Sequence, residues 1–248
     1  MSAIEICGLT KRFGAVTAVD NLTFAPVEGR VTGFVGANGA GKTTTMRMLL
    51  GLSRPDAGSA TINGHAYAEL KDPLREIGAM VDPNVFHPNR SGRNALRVVG
   101  KVARIGDDRV DEVLDLVGLT AAARRRVSGY SMGMRQRLAL AAAMLGDPGT
   151  IVLDEPANGL DPQGVHWLRS LIRQLSAEGR TVFVSSHLLA ELAQTIDDVV
   201  IIADGSLVVH QPMSALLDRA DGSSLEDIYL ELTASVPTVP TSTRKESR

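Results

Sequence analysis

Residues 36–44, Gly-Ala-Asn-Gly-Ala-Gly-Lys-Thr-Thr, are the types and spacing that surround an anion. The glycines let the chain curl so that successive N–H groups of Gly36, Ala37, Asn38, Gly39, Ala40, Gly41 and Thr44 turn toward one phosphate. A helix starting at Thr43 adds the partial positive charge of its N-terminus. In the pattern G-x-x-x-x-G-K-[ST], Lys42 is placed to reach β- and γ-phosphates and the Thr43 hydroxyl to ligate Mg2+. A second fragment, Thr150-Ile-Val-Leu-Asp154-Glu155-Pro156, sets two carboxylates just past an apolar, β-favouring run. Ligands of open α/β sheets sit at the carboxyl ends of strands, so these acids should face the same crevice. There Asp154 can hold a metal, directly or through water, and Glu155 can orient or deprotonate an attacking water.

Such groups converge only if strands and helices alternate around them, and the chain reads that way. Val31–Val35 is a buried strand that feeds the glycine loop. A helix over residues 43–50 follows, and Gly51 ends it. Further strands are expected over residues 60–62, 77–81, 150–153, 181–185 and 199–203, with helices over residues 163–177 and 188–195 between the last three. This alternation argues an α/β domain with a largely parallel sheet. The stretch 91–147 carries no convincing strand. It repeats Val110, Val113, Leu114 and Val117 at helical spacing, and residues 132–145 form one long helix, so it reads as a helical insertion. After Gly205 come a short strand and two helices, over residues 213–219 and 225–232.

The fragment Tyr130-Ser131-Met132-Gly133-Met134-Arg135-Gln136-Arg137 narrows the chemistry. It opens the long helix, and Ser131 lies 23 residues before Asp154. Here the chain resembles the nucleotide-binding subunits of ATP-binding-cassette (ABC) transporters over roughly residues 3–235. The family's signature loop, LSGGQ, stands here as YSMGM, which keeps Ser131 and Gly133 and replaces a glycine and the glutamine with methionines. Asn158-Gly159-Leu160-Asp161 resembles the loop that crosses the dimer interface, with Asp161 the carried-over residue. His187, 33 residues after Asp154, matches the switch histidine that fixes the γ-phosphate and the attacking water. Phe13 stands where an aromatic stacks on adenine. Where the family has a glutamine that touches Mg2+, this chain has Asp82, an oxygen donor without an amide. That carboxylate, Ser91-Gly92-Arg93-Asn94 and YSMGMRQRLALA resemble the subgroup exporting bacitracin-like and lantibiotic peptides.

The resemblance implies a P-loop NTPase, RecA-like core with an inserted helical subdomain (about 85–147) and a small antiparallel β subdomain. It divides the chain into an ATP-binding domain (3–220) and a helical extension (221–235), and the polar, proline-containing stretch that follows is expected to be a disordered tail (236–248). It also implies ATP and Mg2+ as ligands, with catalysis by Lys42, Glu155 and His187. Ser131 and Gly133 cover the ATP of a partner cassette, identical or related, in a head-to-tail pair. The longest uninterrupted apolar run is 138–145, eight residues, against about 20 needed to span a bilayer. The membrane-spanning permease is therefore expected as a separate polypeptide, and this subunit as a cytoplasmic protein peripheral on the membrane's inner face.

Composition removes other classes. With 26 Lys+Arg against 28 Asp+Glu among 248 residues, the net charge of −2 leaves no footprint for nucleic acid. The lone Cys7 excludes an internal disulfide or a Cys-rich metal site. Absence of repeats, heptads and Cys pairs speaks against translation or DNA-repair ATPases, and the presence of Glu155 and His187 against a non-hydrolysing sensor. A soluble cassette ATPase with a cytosolic partner, for example in iron–sulfur assembly, stays open, as does the direction of transport, with export expected.

Overall fold

Four of the apolar runs form strands buried on both faces, and their alternation assigns the faces. In the computed structural model, which describes residues 3–218 and 224–234, the strands are β1 (Ile4–Phe13), β2 (Val16–Phe24), β3 (Val31–Val35), β4 (Ala57–Ile62), β5 (Ile77–Met80), β6 (Thr150–Leu153), β7 (Thr181–Ser186), β8 (Asp198–Ala203) and β9 (Ser206–Pro212). The helices are α1 (Lys42–Leu49), α2 (Pro73–Glu76), α3 (Gly92–Val102), α4 (Asp107–Leu116), α5 (Met132–Met144), α6 (Pro162–Ala177), α7 (Leu189–Leu192), α8 (Met213–Asp218) and α9 (Leu225–Ala234). The expected tail, 236–248, lies outside the described residues.

Two sheets are present among the described residues. The larger has the order β5-β6-β7-β3-β8-β9, parallel except for the antiparallel edge strand β9. Ile151, Leu153, Val182, Val184, Val199 and Ile201 point to the side of α5 and α6, while Val152, Phe183, Phe34 and Val200 point to the other. On that second side lie α1 and the smaller antiparallel sheet, of order β2-β1-β4. The two sheets are joined by Phe24, Phe34 and Phe183, whose ring centroids stand 5.1–5.8 Å apart in tilted pairs. Such pairs add about 0.5–1.5 kcal/mol each beyond the area they bury.

Local reading succeeds where burial is two-sided and fails where it is not. No strand is expected before Val31, yet β1 and β2 are the longest pair. Their register shifts between Ile6 and Leu9, Leu9 and Lys11, and Lys11 and Arg12. The first of these moves the buried set from Ile4 and Ile6 to Leu9 and so breaks the period of two. Strand β4 starts at Ala57 rather than Ala60, because Ala57–Ser59 are exposed and carry no apolar signal. The helix expected over residues 188–195 is only Leu189–Leu192: the Thr195 and Ile196 N–H groups both donate to the Leu192 carbonyl, at 2.7 and 3.0 Å, and turn the chain toward β8.

The helical insertion, α3 to α5, sits on the sheet through glycines. A β-carbon on Gly78 of β5 would stand 2.0 Å from the Ala143 carbonyl oxygen of α5, and one on Gly146 1.8 Å from the Leu74 carbonyl oxygen. Backbone therefore lies against backbone where α5 crosses β5, and no side chain fits between. We expect Gly78→Ala to lower stability by about 1–3 kcal/mol, read as the urea midpoint. Gly149→Ala, where an added β-carbon meets nothing within 4 Å, serves as the neutral comparison; equal midpoints for the two variants would show that α5 can move off β5 freely.

Candidate functional site

The site is assembled at the carboxyl ends of β3, β6 and β7, which lie close together because β7 lies between the other two. The phosphate loop leaves β3 at Gly36. Its N–H donates to the Ser186 carbonyl at 3.4 Å, which holds the start of the loop on β7. Gly41 has φ of 104°, and a β-carbon there would lie 2.4 Å from the Ala18 carbonyl oxygen, so both conformation and space demand glycine. Gly39, at φ 87°, faces open space, as a surface that must receive a ligand should. The loop is braced by the Gly205 N–H, which donates to the Ala40 carbonyl at 3.1 Å. A second brace is Tyr229 on α9, whose phenol faces the backbone of Ala37 and whose pKa burial pushes above the usual phenol value. Ala37, Asn38 and Gly39 are exposed, while Lys42 is buried.

Lys42 donates through Nζ to the Gly36 carbonyl (2.6 Å) and the Ala37 carbonyl (3.2 Å), and the buried Glu155 Oε1 lies 3.2 Å away as an ion pair without an aligned hydrogen bond. The other Glu155 oxygen, Oε2, lies 2.9 Å from His187 Nδ1. Beside this pair, the Thr43 hydroxyl donates to Asp154 Oδ2 at 2.6 Å. Asp154 Oδ1 accepts from the Ser185 hydroxyl at 2.6 Å, and the Ser185 oxygen in turn accepts the Glu155 N–H at 2.9 Å. Lys42, Thr43, Asp154, Glu155 and His187, read from the sequence as a set, thus form one hydrogen-bonded and ion-paired cluster.

Other residues stand apart from it. Asp82 is exposed, and its Oδ1 accepts the Asn84 N–H at 2.8 Å, so its carboxylate closes a turn; no hydrogen bond joins it to Thr43 or Asp154. Phe13, 55% exposed, ends β1 with Lys11 Nζ 5.5 Å from its ring centre, an open aromatic face rather than a core residue. Ser131 is exposed and caps α5, its hydroxyl oxygen accepting the Met134 N–H at 3.2 Å, and neither it nor Gly133 bonds the phosphate loop. Asp161 caps α6 by accepting the Gly164 N–H at 2.7 Å. Behind the site a groove of about 320 Å³ runs between α1, β5 and α5. Exposed Leu52 and Val85 line it with Tyr67, Val81 and Phe86, and Asp82 stands at its edge.

The donor set suits magnesium and a polyphosphate. A hydroxyl and a carboxylate are hard oxygen ligands, and among the described residues no group of three or more His, Cys, Asp or Glu side chains stands ready to enclose a metal. A site with so few protein ligands fits an ion that keeps its waters and shares phosphate oxygens.

Ser185 is the residue that inspection of spacing misses. It lies near the end of β7, fully buried, in a strand that also buries the hydroxyls of Thr181 and Ser186, so nothing in the sequence singles it out. Glu155 carries a second hidden feature: its φ is 47°, a left-handed conformation uncommon for a non-glycine residue.

Fold and cluster together define a P-loop nucleoside-triphosphate hydrolase core. The sequence family described as ABC transporter matches residues 19–158. The chain is 42% identical over 219 residues to the bacitracin transport ATP-binding protein BcrA of Bacillus licheniformis, covering 87% of this chain and 72% of that one. It is 32% identical over 227 residues to the lantibiotic transport ATP-binding protein SrtF of Streptococcus pyogenes, covering 91% and 95%. A solved structure of an ATP-binding subunit of an ABC transporter superposes with a TM-score of 0.83 at 25% identity, covering 93% of this chain and 99% of that one. The chain belongs to the ABC transporter family: it is an ATP-binding cassette, an ATPase that works with ATP and Mg2+.

Removing the Ser185 hydroxyl leaves Asp154 Oδ1 and the Glu155 N–H without partners in a buried site. Ser185→Ala is expected to lose about 1–3 kcal/mol of stability and to slow ATP turnover. Denaturant titration and a steady-state ATPase assay check this, and an unchanged midpoint with unchanged turnover counts against the bridging role.

Proposed function

We propose that this cassette pairs head to tail with a second one around two Mg-ATP and drives a separate, multi-spanning permease that exports a peptide-like molecule. The observation that carries the reading is the convergence of Lys42, Glu155 and His187 on one another at the strand ends, beside the Thr43–Asp154 pair. Phosphoryl transfer to water needs charge neutralisation and positioning rather than covalent chemistry, and this set supplies both. Lys42 binds the phosphates, with the loop N–H groups of residues 36–44 as further donors. Thr43 and Asp154 would hold Mg2+, which when bound supplies neutralising charge to the phosphates, whereas the exposed Asp82 carboxylate closes its own turn and is not joined to that pair. Glu155 accepts a proton from the attacking water or orients it, and His187 keeps the Glu155 carboxylate in place while donating toward the γ-phosphate. Phe13 offers its open face to adenine.

Ser131 and Gly133 make no bond to this chain's own phosphate loop, which supports a composite site in which they cover the partner's ATP. Asp161, on the loop beside Gly133, then lies at that interface. The domain limits inferred from the family, a cassette over 3–220 with α9 as an extension, accord with α9 bracing the phosphate loop through Tyr229. No helix among the described residues is long and apolar enough to cross a membrane, and the apolar groove edged by Asp82 suits a helix from the permease. Its placement on the cytoplasmic face follows from that docking. The export direction and peptide-like cargo rest on the likeness to bacitracin and lantibiotic transport subunits.

Two measurements test the reading. Glu155→Gln should keep ATP bound and accumulate as a dimer in size-exclusion chromatography with light scattering; a monomer at saturating Mg-ATP counts against the paired site. Tagged protein purified from detergent-solubilised native membranes should bring down a multi-spanning partner. A soluble partner in its place would transfer the assignment to a cytosolic cassette ATPase.

A further inference from the structure

Gln136 lies in the second turn of α5, 4% exposed, in a helix whose other buried residues are Leu, Ala and Met. Its Nε2 donates to two consecutive carbonyls, those of Glu155 and Pro156, each at 3.2 Å. Two carbonyl acceptors on one atom identify it as the nitrogen, because a carbonyl cannot accept from an amide oxygen. The other atom, Oε1, is buried and has no partner. A side chain that tolerates an unmet acceptor in the core is held there for its donor end.

The carbonyls it holds belong to an unusual piece of backbone. Glu155 sits at φ 47°, a conformation that persists in a non-glycine residue only when its surroundings impose it. Those surroundings are three. Ser185 of β7 accepts the Glu155 N–H, Gln136 of α5 donates to its carbonyl, and Lys42 and His187 engage its carboxylate. Of these, Gln136 alone belongs to the helical insertion. The same helix carries Ser131 at its N-cap and Gly133 two residues further on.

We propose that Gln136 is a positioning residue for Glu155: it fixes the left-handed turn that aims the carboxylate, and it ties that aim to the tilt of α5. The inference rests on the roles proposed for Glu155, Ser131 and Gly133. Engagement of the Ser131 end of α5 by the partner's ATP is then felt at the Glu155 carboxylate of the same chain. Gln136 touches neither nucleotide nor water and acts only through Glu155.

The test is a double-mutant cycle on the full-length chain with Mg-ATP. Gln136→Met keeps the volume and removes both donors; Gln136→Asn keeps the amide on a stem too short to reach. Either variant should lower kcat by about tenfold while changing the KM for ATP by less than about twofold, since binding contacts are untouched. In a Glu155→Gln background, assayed in single turnover, the Gln136 substitution should have no further effect on the residual rate, and the ATP-bound dimer should still form. A folded variant with unchanged kcat, a parallel rise in KM, or the same fold-loss persisting in the Glu155→Gln background overturns the inference alone. Wild-type turnover in Glu155→Gln by itself overturns the assignment of Glu155, and this inference with it.

Discussion

A lysine ammonium held at 5% exposure has to be compensated where it stands, and the compensation of Lys42 organises the site. Two loop carbonyls accept its protons, and they can do so only because the chain between Gly36 and Gly41 curls back over it. The facing charge comes from Glu155, which belongs to a different strand end and a distant part of the sequence. A buried cation and carboxylate survive only when both are hydrogen-bonded or paired throughout. That condition draws in His187 on the second carboxylate oxygen and Ser185 on the adjoining N–H. The cluster is therefore a unit, and the three parallel strands that end on it are aligned by the same contacts.

The rest of the architecture keeps that unit in place while leaving one side open. Phe24, Phe34 and Phe183 join the antiparallel sheet to the floor of the phosphate loop, and Gly205 and Tyr229 brace the loop from the β8–β9 turn and from α9. On the opposite face α5 is seated against β5 at Gly78, with main chain against main chain. Close seating of this kind leaves no compliant side chain between helix and strand, so a displacement of α5 is passed on rather than absorbed. The outer side of the loop, Ala37 to Gly39, is left exposed to solvent.

Much of this was legible in the residues. The phosphate loop and the strand-end carboxylates are local patterns, each carrying its own glycine, apolar or acidic signal within ten residues, and the structure has both where the spacing puts them. The buried strands β3, β6, β7 and β8 were legible because burial on two faces leaves an unbroken apolar run. The N-terminal hairpin was not, because its bulges break the alternation that a half-exposed strand depends on. Ser185 was hidden for a related reason: it is one of three buried hydroxyls in β7, and only the neighbouring strand shows that it is the one that meets Asp154. Asp161 was read as an interface residue and Ser131 as a cover for the partner's ATP; within the single chain the two cap α6 and α5.

Composition and spacing alone thus determined which groups are available: a cradle of N–H donors, one lysine, one hydroxyl, two adjacent carboxylates and a histidine. They also determined that these groups end strands or begin helices. Which of them meet was decided by the strand order, since β7 inserts between β3 and β6 and so carries Ser185 and His187 to Asp154 and Glu155. Likewise the left-handed turn at Glu155 and its tie to Gln136 exist only once α5 has docked. The reason is physical. Every one of those contacts spans at least 19 positions in the chain, and strand order and helix docking are settled by packing on both faces of the sheet, which no short window of sequence contains.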